Sequence, residues 1–196
     1  MKMLNAVFLS WGLLLAAPAY AGFYIEPGIT YEKGDNELDW PAPLSSSTGT
    51  TRGLGFDLKL GYHANDVFFI GLEGAYSKPK FENSATDYSA DATSTLYGAV
   101  VGAQMPVVGL RIWGGYIFGG DLDPEEDNGV DVKFEEAKGP KVGVGIKLFM
   151  VSVNLEYMDL EYNKSKLEKA GPVSGELDSK LKNKVGLLSM SFPLTF

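Results

Sequence analysis

The sequence has no cysteine and a single histidine, His63. Without cysteine there are no disulfide staples, so an exported chain of this kind must draw its stability from a large core or from a membrane. Nucleophilic catalysis would rest on serine or threonine alone. Positive charge is also scarce: 17 basic side chains stand against 25 acidic ones, a formal net charge of −8. That balance argues against a nucleic-acid partner, because no basic surface offsets phosphate repulsion. It argues equally against adhesion to anionic lipid by net charge alone. Long apolar runs are missing beyond the first twenty residues, so no transmembrane helix is encoded there. A barrel strand needs only about 9–11 residues with alternate ones apolar, which dilutes hydropathy towards neutral. The mean hydropathy here is −0.03.

What is present begins with an export signal, MKMLNAVFLSWGLLLAAPAYA. Lys2 supplies the positive start. Residues 7–17 form an apolar stretch too short to span a bilayer, and Ala19-Tyr20-Ala21 is a small-x-small cleavage pattern. Cleavage is expected between Ala21 and Gly22, so that residues 1–21 are a signal peptide and 22–196 the mature domain. This removes one basic and no acidic side chain and takes the net charge from −8 to −9. The mature length fits one domain.

Apolar residues then recur with period two, in eight segments at about 23–33, 53–64, 67–78, 94–105, 108–119, 140–149, 151–161 and 183–196. Their many glycines would be poor in helices, at about 1 kcal/mol each relative to alanine. Three connections are short, around Asn65-Asp66, Pro106-Val107 and Phe149-Met150. Four are long and polar, at 34–52, 79–93, 120–139 and 162–182. Short turns on one side and long loops on the other are the asymmetry of outer-membrane barrels, whose long loops face outward from the cell.

One face of every segment is apolar and free of charge. Tyr31, Tyr76, Tyr97, Tyr116 and Tyr157 all lie on that face. Each falls roughly eight or nine residues from the short-turn end, as the aromatic girdle of a membrane interface would. Phe23, Tyr62, Phe68 and Phe196 would mark the inner ring. A soluble lipocalin-type barrel would turn this face inward, and a soluble core has no reason to set tyrosines at one height. The expectation is an all-β, eight-stranded, antiparallel up-and-down transmembrane β-barrel.

The opposite faces carry Glu26, Asp57, Lys59, Glu73, Arg111, Lys147 and Glu156, with Lys141 among them. An eight-stranded barrel is just wide enough to be filled by side chains. Charges inside it must be paired, because an unpaired buried charge is expensive. These residues are therefore expected to form a polar network in the lumen. An odd loop at 65–67 sets Lys59 opposite Glu73. A two-residue turn at 106–107 would set Gly102 opposite Arg111 and Val100 opposite Trp113. Arg111 has two readings: the centre of an ion pair with Glu26, Glu73 or Glu156, or the selectivity residue of a thin pore.

Signals for chemistry are sparse. His63 has no serine or aspartate at a recognisable spacing and falls at the short-turn rim. No catalytic residue, cofactor or metal ligand is assigned. The segment 120–139 carries Asp121, Asp123, Glu125, Glu126, Asp127, Asp131, Glu135 and Glu136. Its run DLDPEEDNG lacks the glycine and the closing glutamate of a calcium loop. Divalent ions bridging it to lipopolysaccharide phosphates and a simply solvated acidic loop are both open readings. Lys164, Lys166, Lys169, Lys180 and Lys182 could fold onto it. Residues 34–52, with Trp40, Pro41, Pro43 and a Ser/Thr run, have the composition of a contact surface.

The signal peptide, the eight alternating strands, the short and long connections and the final LLSMSFPLTF together resemble the small eight-stranded outer-membrane barrels of the opacity-protein and outer-membrane-protein-A transmembrane type. The resemblance covers the whole mature chain. It implies the bacterial outer membrane, with outer-membrane lipid and lipopolysaccharide as surroundings. It also implies that Phe192, Leu194 and Phe196 form the address read by the barrel-assembly machinery, with no periplasmic domain beyond. It is weak for function, because one fold of this kind hosts many roles. Three readings stay open: a non-enzymatic surface protein whose loops contact envelope or host components, a narrow channel for small or apolar solutes, and a lipid-modifying enzyme. Pro27 and Pro193 fall in the first and last strands, where a missing ladder donor weakens the seam.

Overall fold

The computed structural model describes residues 21–39, 46–64, 67–84, 88–127, 129–170, 173–177 and 179–196. Residues 1–20 of the expected signal peptide 1–21, the contact-surface residues Trp40, Pro41 and Pro43, and the turn residues Asn65 and Asp66 lie outside them. The strands are β1 (Ala21–Asp39), β2 (Ser47–Ala64), β3 (Phe68–Asn83), β4 (Tyr88–Gln104), β5 (Leu110–Pro124), β6 (Val130–Leu148), β7 (Val151–Ala170), β8 (Val173–Leu177), β9 (Lys180–Ser191) and β10 (Leu194–Thr195). Each of β1 to β7 pairs antiparallel with the next, and β9 closes the ring between β7 and β1. The fold is an eight-stranded, antiparallel, up-and-down barrel. β10 continues the pairing with β1 beyond Pro193, and β8 is a short addition to the far end of β7.

The apolar face points outward. Leu54 is 71%, Ile70 62%, Ile112 62% and Leu155 61% exposed. A belt of bare aliphatic surface around a whole ring is far beyond what a water-soluble monomer shows, and it fits lipid. All five predicted girdle tyrosines project from this outer face, with Tyr97 edge-on to Phe118 at 5.5 Å. At the short-turn end Phe23 meets Tyr62 edge-on at 6.4 Å.

The strands run much further than the alternation predicts. Much of the segments 34–52, 79–93, 120–139 and 162–182, expected as loops, is ladder: β1 runs to Asp39, β2 begins at Ser47 and β7 reaches Ala170. The physical reason is a change of phase. Beyond the tyrosines the outward positions turn polar, as at Lys33, Asp35 and Glu37, while the apolar residues move to the inward parity, as at Leu38, Phe81, Leu122, Phe134 and Leu181. The ladder continues, but the apolar-out pattern stops at the edge of the lipid.

The β4–β5 register also departs from expectation. Gly102 stands opposite Trp113 and Gln104 opposite Arg111. The connection occupies residues 105–109 rather than two, closed by hydrogen bonds from Met105 N to Leu110 O and from Gly109 N to Met105 O, both 2.8 Å. Gly109 has φ +73°, and a Cβ there would lie 2.1 Å from the Lys147 carbonyl. Only glycine suits that corner.

Candidate functional site

The barrel interior is built in layers. The layer nearest the short turns is aromatic: Tyr24, Phe69, Val100 and Trp113 are buried together. His63 joins it, stacked on Tyr24 with centroids 5.6 Å apart and 6.0 Å from Phe69. Trp113 fits because its cross-strand neighbours are small. A Cβ on Gly143 would lie 2.2 Å from the indole, and Gly102 sits on its other side. Below Arg111, Ser152, Asn154, Ser189 and Ser191 make a small hydrogen-bonded set on β7 and β9.

The second layer is ionic. Arg111 binds Glu26 through both guanidinium nitrogens, at 2.8 and 2.7 Å, and donates to the Tyr24 hydroxyl at 2.7 Å. The Ser191 hydroxyl also donates to Glu26. The guanidinium lies over Phe69 and Trp113, at 5.2 and 5.5 Å from their centroids. Lys59 stands opposite Glu73 in the ladder, yet its ammonium turns to Asp57 at 2.6 Å and Glu156 at 3.4 Å. Lys141 takes Glu73 at 2.8 Å and also contacts Glu156. Glu156 thus joins two lysines from opposite walls of the barrel. Four carboxylates and three cations form this buried set.

Of the residues expected in the lumen network, Glu26, Asp57, Lys59, Glu73, Arg111 and Glu156 are brought together there. Lys147 stands apart. It is half-buried at the short-turn end and donates to the Pro193 carbonyl at 3.3 Å. Lys141, placed on the inward face by its parity with Gly143 and Gly145, completes the network as expected.

The third layer is apolar. Leu96, Ile117, Met158, Leu160, Val185 and Leu187 pack at its lower edge, and Leu38, Phe81, Leu122, Phe134 and Leu181 fill the part beyond the tyrosines. Sequence reasoning did not find its outer part, because Leu38, Phe81, Leu122, Phe134 and Leu181 had been read as loop. Between the ionic and apolar layers lies a cavity of about 20 Å³, bordered by Glu32, Glu73, Ser77, Leu96 and Met158. It has room for roughly one water.

The rim beyond the tyrosines is heavily charged. The acidic residues of 120–139 lie largely on the ends of β5 and β6. Lys164 pairs with Glu136 at 2.6 Å and Lys169 with Glu126 at 2.7 Å, whereas Lys180 takes Glu161 and Lys182 takes Asp39. Lys166 stays with Glu168. Among the described residues no group of three or more His, Asp or Glu side chains is arranged around a metal ion. Tyr88 donates to the Glu125 carbonyl at 2.8 Å, and burial together with Asp127, Asp131 and Asp123 pushes its phenol up to about 12. Burial raises Asp123 above the ordinary carboxylate range, and Glu168, Asp131 and Asp121 add to this against Lys133.

Comparison with known proteins was made against this geometry. The outer membrane protein β-barrel domain family matches residues 6–190. No curated protein matches the chain by sequence. Among solved structures, the outer membrane protein OprG of Pseudomonas aeruginosa superposes with a TM-score of 0.53 at 12% identity, covering 88% of this chain and 96% of that one. Ail, the attachment invasion locus protein of Yersinia pestis, gives 0.47 at 12% identity over 87% and 99%. Neisserial surface protein A gives 0.45 at 13% identity over 86% and 97%.

Proposed function

Since the chain belongs to the outer membrane protein β-barrel domain family, and so to the bacterial outer membrane, we propose that it is a non-enzymatic surface protein: a sealed barrel that carries a charged, strand-built rim to contacts with envelope or host components. The observation that carries this reading is the closed interior. A bidentate Arg111–Glu26 pair, two buried lysines and an apolar layer follow one another along the axis, with a cavity of about 20 Å³ between the ionic and apolar layers. Its surroundings on this reading are outer-membrane lipid and lipopolysaccharide, with the barrel-assembly machinery engaged through Phe192, Leu194 and Phe196 during insertion. His63 supports a non-enzymatic role, because it is buried in an aromatic stack. Planar-bilayer recording tests the proposal. The wild-type protein should insert without unitary openings; defined openings would reject a sealed barrel. An unchanged lipid A profile on overexpression is expected as well.

A narrow path for apolar solutes is the second reading, and one observation favours it. The ladder around Pro140 is interrupted: Phe118–Gly120 have no partner on β6, and Gly139 and Pro140 have none on β7. An open groove of about 640 Å³ runs there along the outer wall, and one of its lining residues, Leu160, belongs to the buried apolar layer. Saturable uptake of a small apolar solute into proteoliposomes, without ion conductance, would favour this reading over the first.

A further inference from the structure

The charges just beyond the tyrosines are arranged differently on the two sides of the barrel. On β9 every lysine has acids beside it. Lys184 lies opposite Asp35 and Asp159, Lys182 opposite Glu37 and Glu161, and Lys180 opposite Asp39. Lys180–Glu161 and Lys182–Asp39 close as ion pairs at 2.7 and 3.3 Å. That side neutralises itself.

The β1–β3 side does not. Lys33 stands directly opposite Arg52, and Arg52 directly opposite Lys80, so three cations follow one another in one cross-strand row before Asp91 of β4 ends it opposite Lys80. Like charges placed opposite one another destabilise a sheet. Lys78 lies one outward position below Lys80, opposite Leu54. Glu82 takes Arg52 at 3.1 Å and Lys80 at 3.9 Å. Among the described residues Lys33 and Lys78 make no ion pair. Beyond Lys33 on β9 lies Gly186, which puts no side chain in the way.

The height of the row decides its partner. Lys33 is the next outward residue after Tyr31, and Lys78 the next after Tyr76. One such step is about 6.6 Å along a strand. Interfacial tyrosines sit at headgroup level, so the row meets lipid phosphates rather than acyl chains or bulk water. The long connections lie at this end, which faces outward from the cell. We propose that the outer wall of β1–β3 is a docking surface for the phosphorylated glycolipid of the outer leaflet, held by Lys33, Lys78 and Lys80 with Arg52 behind them. The inference deepens the reading of the chain as an outer-membrane surface protein and rests on it.

Native mass spectrometry of the full protein released from detergent tests this, with bis-phosphorylated lipid A, its dephosphorylated form and phosphatidylglycerol as probes. Each lysine near an anionic surface contributes on the order of fivefold. The combined variant Lys33→Gln, Lys78→Gln, Lys80→Gln should therefore retain lipid A at least about tenfold less than wild type. The variant Lys180→Gln, Lys182→Gln, Lys184→Gln removes the same charge from the self-neutralised side and should retain lipid A within about twofold of wild type. Equal retention of the dephosphorylated form, equal retention of phosphatidylglycerol, no loss in the first variant, or the same loss in the second would each overturn the proposal. A heat-dependent gel shift checks that every variant is a folded barrel. A wild-type protein that shows the shift yet binds no lipid A would overturn the docking surface and leave the surface-barrel reading standing.

Discussion

At the scale of single residues the molecule depends most on Arg111. Its side chain is buried, paired twice to Glu26 and set against the Phe69 and Trp113 rings. Replacing one partner leaves the other charge buried and alone, which costs about 3–5 kcal/mol, whereas replacing both by neutral groups of similar volume is often close to neutral. Arg111→Met should lower the unfolding free energy of the detergent-refolded barrel, measured by urea titration, by that amount. Arg111→Met with Glu26→Gln should recover most of it, and a double variant as unstable as the single one would mean the pair is not the source of the loss. Gly143 makes a second case. A side chain there would enter the Trp113 ring, and overpacking of this kind typically costs about 1–3 kcal/mol. Gly143→Val should be destabilised, with its tryptophan emission shifted as the ring is displaced.

At the scale of elements, the seam between β1 and β9 is short of one bond. Phe192 N donates to Pro27 O at 2.9 Å, but Pro27 has no N–H to return. Opposed residues of a hydrogen-bonded antiparallel pair exchange two bonds. Pro27→Ala restores the second, worth about 1 kcal/mol, and should slow unfolding of the barrel in urea. Unfolding at the wild-type rate would show that the seam does not open first. The far ends of β5 and β6 respond to pH instead. Asp123 is held above the ordinary carboxylate range, so the folded state keeps a proton there that the unfolded chain has already lost. The stability from this group is present below the unfolded value and lost as pH rises through the folded one. Backbone exchange near Asp123 and Lys133, corrected for intrinsic rates, should be more protected at acidic than at neutral pH, and Asp123→Asn should remove the difference.

The elements also show how far the chain could be read without coordinates. Inside the membrane the lipid imposes one rule, apolar outward, so Phe23 to Tyr31 or Phe68 to Tyr76 announce both strand and face. Arg111, Glu26 and Glu156 were legible for the same reason, since a charge at inward parity has nowhere else to go. Beyond Tyr31 and Tyr76 that rule lapses. Lys33, Asp35 and Glu37 face water while Leu38 and Phe81 turn in, and a reversed alternation with charged outward positions looks like loop. The partner of each charge was legible only in part: Glu26 stood among three candidates for Arg111. Lys59 stands opposite Glu73 yet bonds Asp57 and Glu156, a choice made across the lumen and not along the ladder.

At the scale of the whole molecule, the interior is three layers in series: an aromatic layer at the short-turn end, an ionic layer level with the lipid and an apolar layer above it. Barriers in series give a specific expectation, because flux through a pore is limited by its highest step. Truncating the apolar layer alone, with Leu96→Ala, Ile117→Ala and Met158→Ala, should leave the bilayer current silent while costing stability of about 2–5 kcal/mol per large side chain. Opening the ionic layer alone, with Arg111→Ala and Glu26→Ala, should also stay silent, since dry apolar side chains exclude hydrated ions. Adding Phe69→Ala and Trp113→Ala to both sets opens the aromatic layer as well, and that variant should show unitary openings in planar bilayers. Openings in either partial variant would place the whole seal in the layer that variant removes. The order of the layers then matters for function. On the proposed reading as a sealed surface barrel, a solute arriving from outside meets the apolar layer first, so whatever the rim binds would be held above an ionic floor and not admitted through it.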